Sequence, residues 1–315
     1  KEDNKVTLQI ENLYRGKTGF DYRTNIEYTV AADGSILVNS TIIPSTKGVI
    51  IPRIGYRMEL PEGFERMRWY GRGPLENYVD RKDATYVGVY DELVSDQWVN
   101  YVRAQEMGNR EDLRWISITN PDGIGFVFIA GDKMSASALH ATAQDMVDPA
   151  NHRRLLHKYE VPMRKETVLC LDANQRPLGN ASCGPGPMQK YELRSQPTVF
   201  SFIILPLERS YSTEELIRKA RVQMPVCMPV LIERDNNGYL NLKTNTPGAT
   251  VHYSLNGGEE KIYTEPFEFI SGGHVEAYAV SEQLGKSAGT SAEFPIYVDR
   301  SLWKIVSVSS ENGGE

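Results

Sequence analysis

Cysteine is scarce in this sequence: Cys170, Cys183 and Cys227 are the only three, and they lie far apart. A small, odd and scattered set fits neither a disulfide framework nor a zinc site, and it leaves the redox compartment open. Long apolar runs are missing too, since none approaches the ~20 residues of a membrane span. Lys1-Glu2-Asp3-Asn4 opens the chain on charge, with no signal-peptide core behind it. The chain is therefore expected to begin after a removed segment or inside a longer protein. Its compartment is not fixed, and a periplasmic or extracellular one is suspected. There is no excess of basic residues: 35 Lys and Arg against 41 Asp and Glu give a net charge of −6, with no basic stripe. That argues against nucleic acid as a partner. Nowhere do strand signals alternate with helical ones, which excludes a parallel βα barrel from these residues. Histidine is limited to His140, His152, His157, His252 and His274. A satisfied structural histidine is the expectation for each, and no metal or cofactor site is expected.

What is present reads as strands. Of the 315 residues, 40% are hydrophobic and 24% charged, a soluble globular composition long enough for two domains. Strand signals fall at Val6–Ile10, Thr24–Val30, Ser35–Ile43, Arg53–Glu59, Arg66–Tyr70, Trp115–Thr119, Ile124–Ala130 and Phe200–Leu205. Asp33-Gly34 and Pro121-Asp122-Gly123 are turn signals between them. Short strands with frequent turns indicate a sandwich or barrel, so the fold class is all-β. Trp69 and Trp115 sit in strand-like runs and are expected in the core, whereas Trp98 has the most exposed context. One helix is expected after Ser212, which forms a capping box with Glu215 ahead of Leu216, Ile217 and Ala220. Met224–Val230 carries Pro225 and Pro229 and reads as a stiff linker or edge strand. Beyond it, Gly238–Thr244, Thr250–Leu255, Tyr263–Phe267 and Val275–Val280 form a second, smaller β-domain, with hairpin signals at Pro247-Gly248 and Asn256-Gly257.

One stretch crowds polar groups together. After Trp69-Tyr70 come Gly71, Gly73 and Pro74, expected to break the strand, and then Glu76, Asn77, Tyr78, Asp80 and Arg81. Such groups can staple a loop to backbone amides and to each other, or they can face a ligand or another domain. Stapling is the more common use of a polar loop.

Gly71-Arg72-Gly73-Pro74-Leu75-Glu76-Asn77-Tyr78-Val79-Asp80-Arg81 resembles the signature of the C-terminal small-chain domain of glycoside hydrolase family 2 β-galactosidases. Three further blocks follow in the family's order: Tyr101–Arg110, Asp112–Trp115, and Ser182–Pro187 with Lys190–Leu193. The resemblance covers residues 1–208 and implies a large antiparallel sandwich of the galactose-mutarotase type. It also implies that the catalytic barrel of the same parent chain is a partner and a galactoside the substrate of the intact enzyme. The family's two catalytic glutamates and its magnesium ligands belong to that barrel, so these residues alone are expected to be inactive.

At the position matching Cys183, many family members carry a tryptophan that reaches the barrel's pocket and stacks on the sugar. The resemblance thus makes Cys183, Gly184 and Pro185 candidates for a pocket-side loop, although a thiol cannot replace an aromatic platform. Thr246–Ser254 and Tyr263–Phe267 resemble the chitobiase/β-hexosaminidase C-terminal immunoglobulin-like domain. Asp299–Glu311 looks like the first strand of a discoidin-type module. The expected division is 1–208 for the sandwich, 209–223 for a connecting helix and linker, 224–298 for the immunoglobulin-like domain and 299–315 for a truncated further module. Two alternatives stand beside this reading. One is a carbohydrate- or partner-binding module. The other is a mutarotase-type aldose epimerase, which would need a histidine acid and a carboxylate base; neither His140 nor His157 sits in the motif such enzymes use.

Overall fold

The strand signals at the start of the chain become an antiparallel meander of β1 (Lys5–Tyr14), β2 (Tyr22–Ala31) and β3 (Ile36–Pro44). The computed structural model describes residues 5–17, 19–179, 186–223, 227–244, 246–287 and 289–298. The chain divides into two compact units between Met228 and Pro229. In the first unit β4 (Arg53–Leu60), β5 (Arg66–Gly73), β6 (Tyr86–Leu93), β7 (Arg110–Thr119) and β8 (Ile124–Leu139) follow. A short hairpin, β9 (Val147–Asp148) and β10 (Asn151–Leu155), precedes β11 (Thr167–Gln175), β12 (Thr198–Glu208) and helix α1 (Thr213–Gln223).

The sheet order is β1-β2-β3-β12-β8-β7-β5-β6, with β11 and β4 attached through β8. β8 is the corner strand. Its first half, Ile124–Ala130, pairs with β12, and its second half, Ser135–Leu139, pairs with β11. β4 completes this second leaf on the far side of β11. The leaf lies over β12, so the Tyr56 ring sits 5.3 Å from Phe202. Trp69, Phe128, Met134, Leu169 and Leu171 are buried between the layers. Each such side chain contributes on the order of 1.5–3 kcal/mol.

The opposite face of the sheet is covered by α1. Leu216 and Ala220 pack with Trp115, Val127, Ile129 and Ile203. The capping box forms as expected: the Ser212 amide donates to Glu215 Oε2 at 2.7 Å and the Glu215 amide to Ser212 Oγ at 3.2 Å.

Two expectations need correction here. β5 does not break after Tyr70 but runs on to Gly73. Its glycines serve close approach, not a turn. A Cβ on Gly71 would lie 2.9 Å from the Leu113 Cα, and one on Gly73 would lie 2.8 Å from the Tyr90 ring. Trp98 is not exposed; at 9% exposure it packs with Ala104, Met107 and Leu139. The 98–107 segment folds back on itself, and the Val99 amide donates to Met107 Sδ at 3.3 Å. Trp69 and Trp115 are buried as expected.

Among its described residues the second unit has eight short strands: β13 (Leu231–Arg234), β14 (Tyr239–Lys243), β15 (Thr250–Leu255), β16 (Lys261–Tyr263), β17 (Phe267–Glu268), β18 (Gly273–Ser281), β19 (Gly285–Lys286) and β20 (Thr290–Phe294). They form two antiparallel sheets, β13-β14-β17 and β16-β15-β18-β19, with β20 on β18. Tyr263–Phe267 is not one strand. β16 ends at Tyr263 in one sheet and β17 begins at Phe267 in the other, with Pro266, which has no amide hydrogen, between them. The Tyr253 and Phe267 rings, 5.1 Å apart, pack across the two sheets. Among the described residues the protein is thus all-β with one short α-helix. Among the described residues no helix is long and apolar enough to cross a membrane.

Candidate functional site

Strand alternation decides what the second leaf of the large unit turns outward. On β11, Leu169 and Leu171 point into the core, which leaves Val168, Cys170 and Asp172 on the other face. On β4 the same alternation puts Arg53, Gly55 and Arg57 beside them, opposite Tyr56 and Met58. Ser137 and Leu139 of β8 and the segment Ala104–Met107 close a cleft of about 540 Å³ over this face.

The cleft is built on one ion pair. Arg53 donates to Asp172 twice, Nε to Oδ1 at 3.2 Å and Nη2 to Oδ2 at 2.7 Å. Its third nitrogen, Nη1, reaches Glu106 Oε2 at 3.4 Å. The Asp172 side chain is 2% exposed and the Arg53 side chain 27%. A carboxylate so buried needs a charged, bidentate partner. Burial nevertheless pushes its carboxyl up to about 6, against the pull of Arg53. Gly55 makes room for the pair, since a Cβ there would lie 2.5 Å from Asp172 Oδ1 and 2.2 Å from the Leu171 carbonyl oxygen. Burial pushes the neighbouring Cys170 thiol up to about 11, so it is a poor nucleophile at neutral pH. At the rim, Arg57 Nη1 donates to Gln144 Oε1 at 3.0 Å.

The polar motif loop lies behind this cleft and holds one of its walls. Glu76 Oε2 accepts from the Gly108 amide at 2.8 Å, and Oε1 accepts from Arg81 Nη2 at 2.7 Å and from the Tyr101 hydroxyl. Asn77 is fully buried. Its amide donates to the Asn109 carbonyl at 2.9 Å, its Oδ1 accepts from the Glu111 amide at 2.9 Å, and its carbonyl accepts from Asn109 Nδ2 at 2.8 Å. Tyr78 is buried with the Arg81 guanidinium 4.6 Å from its ring, and burial raises its hydroxyl well above the ordinary range. Asp80 keeps one buried carboxylate oxygen without a hydrogen-bond partner among the described residues. Glu76, Asn77, Tyr78 and Arg81 therefore converge, and they converge on the segment that carries Glu106 rather than on open space.

Cys183, Gly184 and Pro185 lie outside the described residues. The flanks of their loop are described. Arg176, next after β11, donates to Glu192 through Nε at 2.7 Å and Nη2 at 2.8 Å. Most histidines are engaged structurally. His140 bridges Glu65 Oε2 at 2.7 Å and the Glu166 carbonyl at 3.0 Å, and His157 Nδ1 lies 2.7 Å from the Val102 carbonyl.

Arg53, Glu106 and Asp172 are not among the site residues to which the sequence pattern points. A signal existed for Asp172, because a carboxylate closing the apolar run Thr167–Leu171 demands a cation, and Arg53 opens the strand that pairs with it.

The larger unit is thus an antiparallel β-sandwich that carries a charged cleft on one leaf and a capped helix on the other face. The family model described as "Beta galactosidase small chain" matches residues 1–204, and the chain belongs to that family. It is 32% identical over 212 residues to a β-galactosidase of Arthrobacter sp. strain B7, covering 61% of this chain and 20% of the relative. Against a β-galactosidase of Priestia megaterium the identity is 31% over 154 residues, 49% of this chain and 14% of the relative. A Kluyveromyces lactis β-galactosidase is 31% identical over 151 residues, 48% of this chain and 14% of the relative. The chain therefore spans between 14 and 20% of the length of these relatives.

Proposed function

We propose that these residues are a non-catalytic C-terminal portion of a family 2 β-galactosidase, whose intact form hydrolyses terminal β-galactosides. The observation that carries this reading is the family match over residues 1–204, together with relatives of which the chain spans a fifth or less. A retaining glycosidase needs two carboxylates roughly 5–5.5 Å apart, free to act on the sugar bond. In the cleft, Asp172 and Glu106 are both committed to Arg53. The portion's role is then to buttress the barrel and to bring the loop of Cys183, Gly184 and Pro185 beside its pocket. The clamp of Arg176 on Glu192 supports this, because it joins the two flanks of that loop. The two-sheet second unit is read as the immunoglobulin-like domain, expected over 224–298, and residues 299–315 as the start of a discoidin-type module. Limited proteolysis near Met224–Pro229 should release 1–208 and 224–298 as separate stable pieces, and resistance there would count against two domains.

The purified 315-residue chain should not hydrolyse a nitrophenyl β-galactoside. Turnover above the buffer blank that survives repurification would overturn the assignment. A thiol reagent should label Cys183 faster than Cys170, whose thiol is buried and raised to about 11. In the intact enzyme a saturating galactoside should slow the labelling of Cys183. Equal rates for the two cysteines, unmoved by ligand, would make the loop structural.

A further inference from the structure

β1 stands at one end of the main sheet and, among the described residues, pairs with β2 alone. The register runs unbroken over all ten residues, from Lys5 opposite Ala31 to Tyr14 opposite Tyr22, with no proline and no bulge in β1. The outer edge of such a strand is a template for another strand, and natural sheets blunt it with charge, proline, a bulge or shortness. β4, also at an edge, follows that rule with Arg53, Arg57 and Glu59. β1 does not. Val6, Leu8 and Ile10 alternate along one face, and Val6 and Leu8 are 70% and 55% exposed. Their cross-strand neighbours are Val30, Tyr28 and Ile26, of which Tyr28 and Ile26 pack on the core. The other face carries Lys5, Thr7, Gln9 and Glu11, where Gln9 Nε2 donates to Glu27 Oε2 at 3.2 Å.

The charges on β1 decide what fits this edge. An antiparallel copy of the same strand, related by a twofold axis, keeps the apolar faces together only if the axis passes through a residue. With the axis on Leu8, Leu8 meets Leu8, Val6 meets Ile10, Thr7 meets Gln9, and Lys5 meets Glu11 twice by symmetry. An axis on Gln9 sets Lys5 against Leu13 and Val6 against Asn12. One on Ile10 sets Lys5 against Arg15 and Leu8 against Asn12, and one on Thr7 overlaps only residues 5–9 of the strand. Opposite charges directly across an antiparallel pair stabilise it, and like charges do the reverse. Of these registers the Leu8 axis alone satisfies both faces.

We propose that β1 is a homodimer interface: it pairs antiparallel with β1 of a second copy of this chain, with Leu8 on the twofold axis, Lys5 against Glu11 of the second copy, and the two Val6–Leu8–Ile10 rows side by side. Each copy then closes the edge of the other, and the interface is isologous. The proposal goes beyond the β-galactosidase reading and does not depend on it.

The test is sedimentation equilibrium of the whole 315-residue chain between about 10 μM and 1 mM. The mass should rise with concentration from the 35.5 kDa of one chain towards twice that value, and no further. Lys5 and Glu11 are exposed, so reversing either charge spares the core. Lys5→Glu alone and Glu11→Lys alone should each weaken the dimer roughly tenfold or more, because both symmetry-related pairs become like-charged. An equimolar mixture of the two variants should regain the parent affinity, since each then meets the opposite charge at both ends. Circular dichroism and the thermal melt check that each variant is folded. Oxidative cross-linking reads the axis independently. Residues directly opposite in an antiparallel pair have Cα atoms roughly 4.5–5.5 Å apart, within the about 4.4–6.8 Å that a disulfide spans. Leu8→Cys should therefore cross-link to its own copy, whereas Leu13→Cys, far from the axis, and the parent chain should not. The proposal is overturned if the chain stays monomeric to about 1 mM, which would leave β1 to a different partner. It is equally overturned if the folded charge variants associate as the parent does, if their mixture does not recover, or if Leu13→Cys cross-links as readily as Leu8→Cys.

Discussion

Glu76 accepts a hydrogen bond from the backbone amide of Gly108 at 2.8 Å, and through this bond the motif loop positions the wall of a cleft it does not itself line. The same carboxylate accepts from Arg81 and Tyr101, and its side chain is 12% exposed. Three donors converging on one buried charge make Glu76 the hub of the loop. Glu76→Ala should lower the stability of the first unit by about 2–3 kcal/mol, since charged hydrogen bonds are lost and the Gly108 amide is left unpaired. Urea denaturation monitored by tryptophan fluorescence reads this directly. A change within about 0.5 kcal/mol, typical of surface substitutions, would mean that the loop is held elsewhere.

Gly55→Ala tests the space under the ion pair. The new methyl would lie 2.2 Å from the Leu171 carbonyl oxygen and 2.6 Å from the Asp172 Cα, both backbone atoms. β4 and β11 must part to admit it, so a loss of about 1–3 kcal/mol or more is expected. Faster amide exchange should appear on β4 and β11 and leave β1 and β2 unchanged. Uniform exchange rates would refute a local wedge.

Acid and neutral pH should act on two aspartates in opposite directions. The Asp172 carboxyl is raised from 3.8 to about 6 by burial, so the folded state binds its proton more tightly than the unfolded chain does. Its contribution to stability is therefore full below pH 3.8 and is lost as pH rises through about 6. Asp145 is the reverse case. The hydrogen bond from Arg164 lowers its carboxyl to about 2, so its contribution is full above pH 3.8 and is lost as pH falls towards 2. Stability measured from pH 2 to 7 should show both limbs. Asp172→Asn should flatten the limb between 4 and 6, and Arg164→Ala the more acidic one. A parent profile that rises steadily from pH 4 to 6, unchanged in Asp172→Asn, would contradict the burial argument.

The helix contributes through its cap and its apolar face. Ser212→Ala removes one half of the capping box and should cost about 1 kcal/mol. Leu216→Ala empties a fully buried position against Trp115 and Ile129 and should cost about 2–5 kcal/mol. If the two costs come out equal, packing on the sheet is not what holds α1.

Local pattern made much of this architecture legible in the residues. Two-residue alternation and turn dipeptides locate β1 to β3, and the Ser212–Glu215 pair locates the start of α1, because these signals depend only on near neighbours in sequence. The all-β class follows from signals of the same kind, whereas membership in the small-chain family rests on the match over residues 1–204. Where a role depended on distant neighbours, the local signal misled. Gly71 and Gly73 look like strand breakers until Leu113 and Tyr90 are seen against them. Trp98 looks exposed until Ala104 and Met107 fold over it. The pairing of Arg53 with Asp172 spans 119 positions, and only the antiparallel register of β4 with β11 brings the two charges together. Sequence by itself determined many of the strands, the helix cap and the crowded loop, since each is fixed by residues a few positions apart, but not β6 or the second half of β8. Tertiary structure alone decided that the crowded loop supports the cleft's wall and that Arg53, Glu106 and Asp172 meet in the cleft, because strand register and the bend of β8 set those distances.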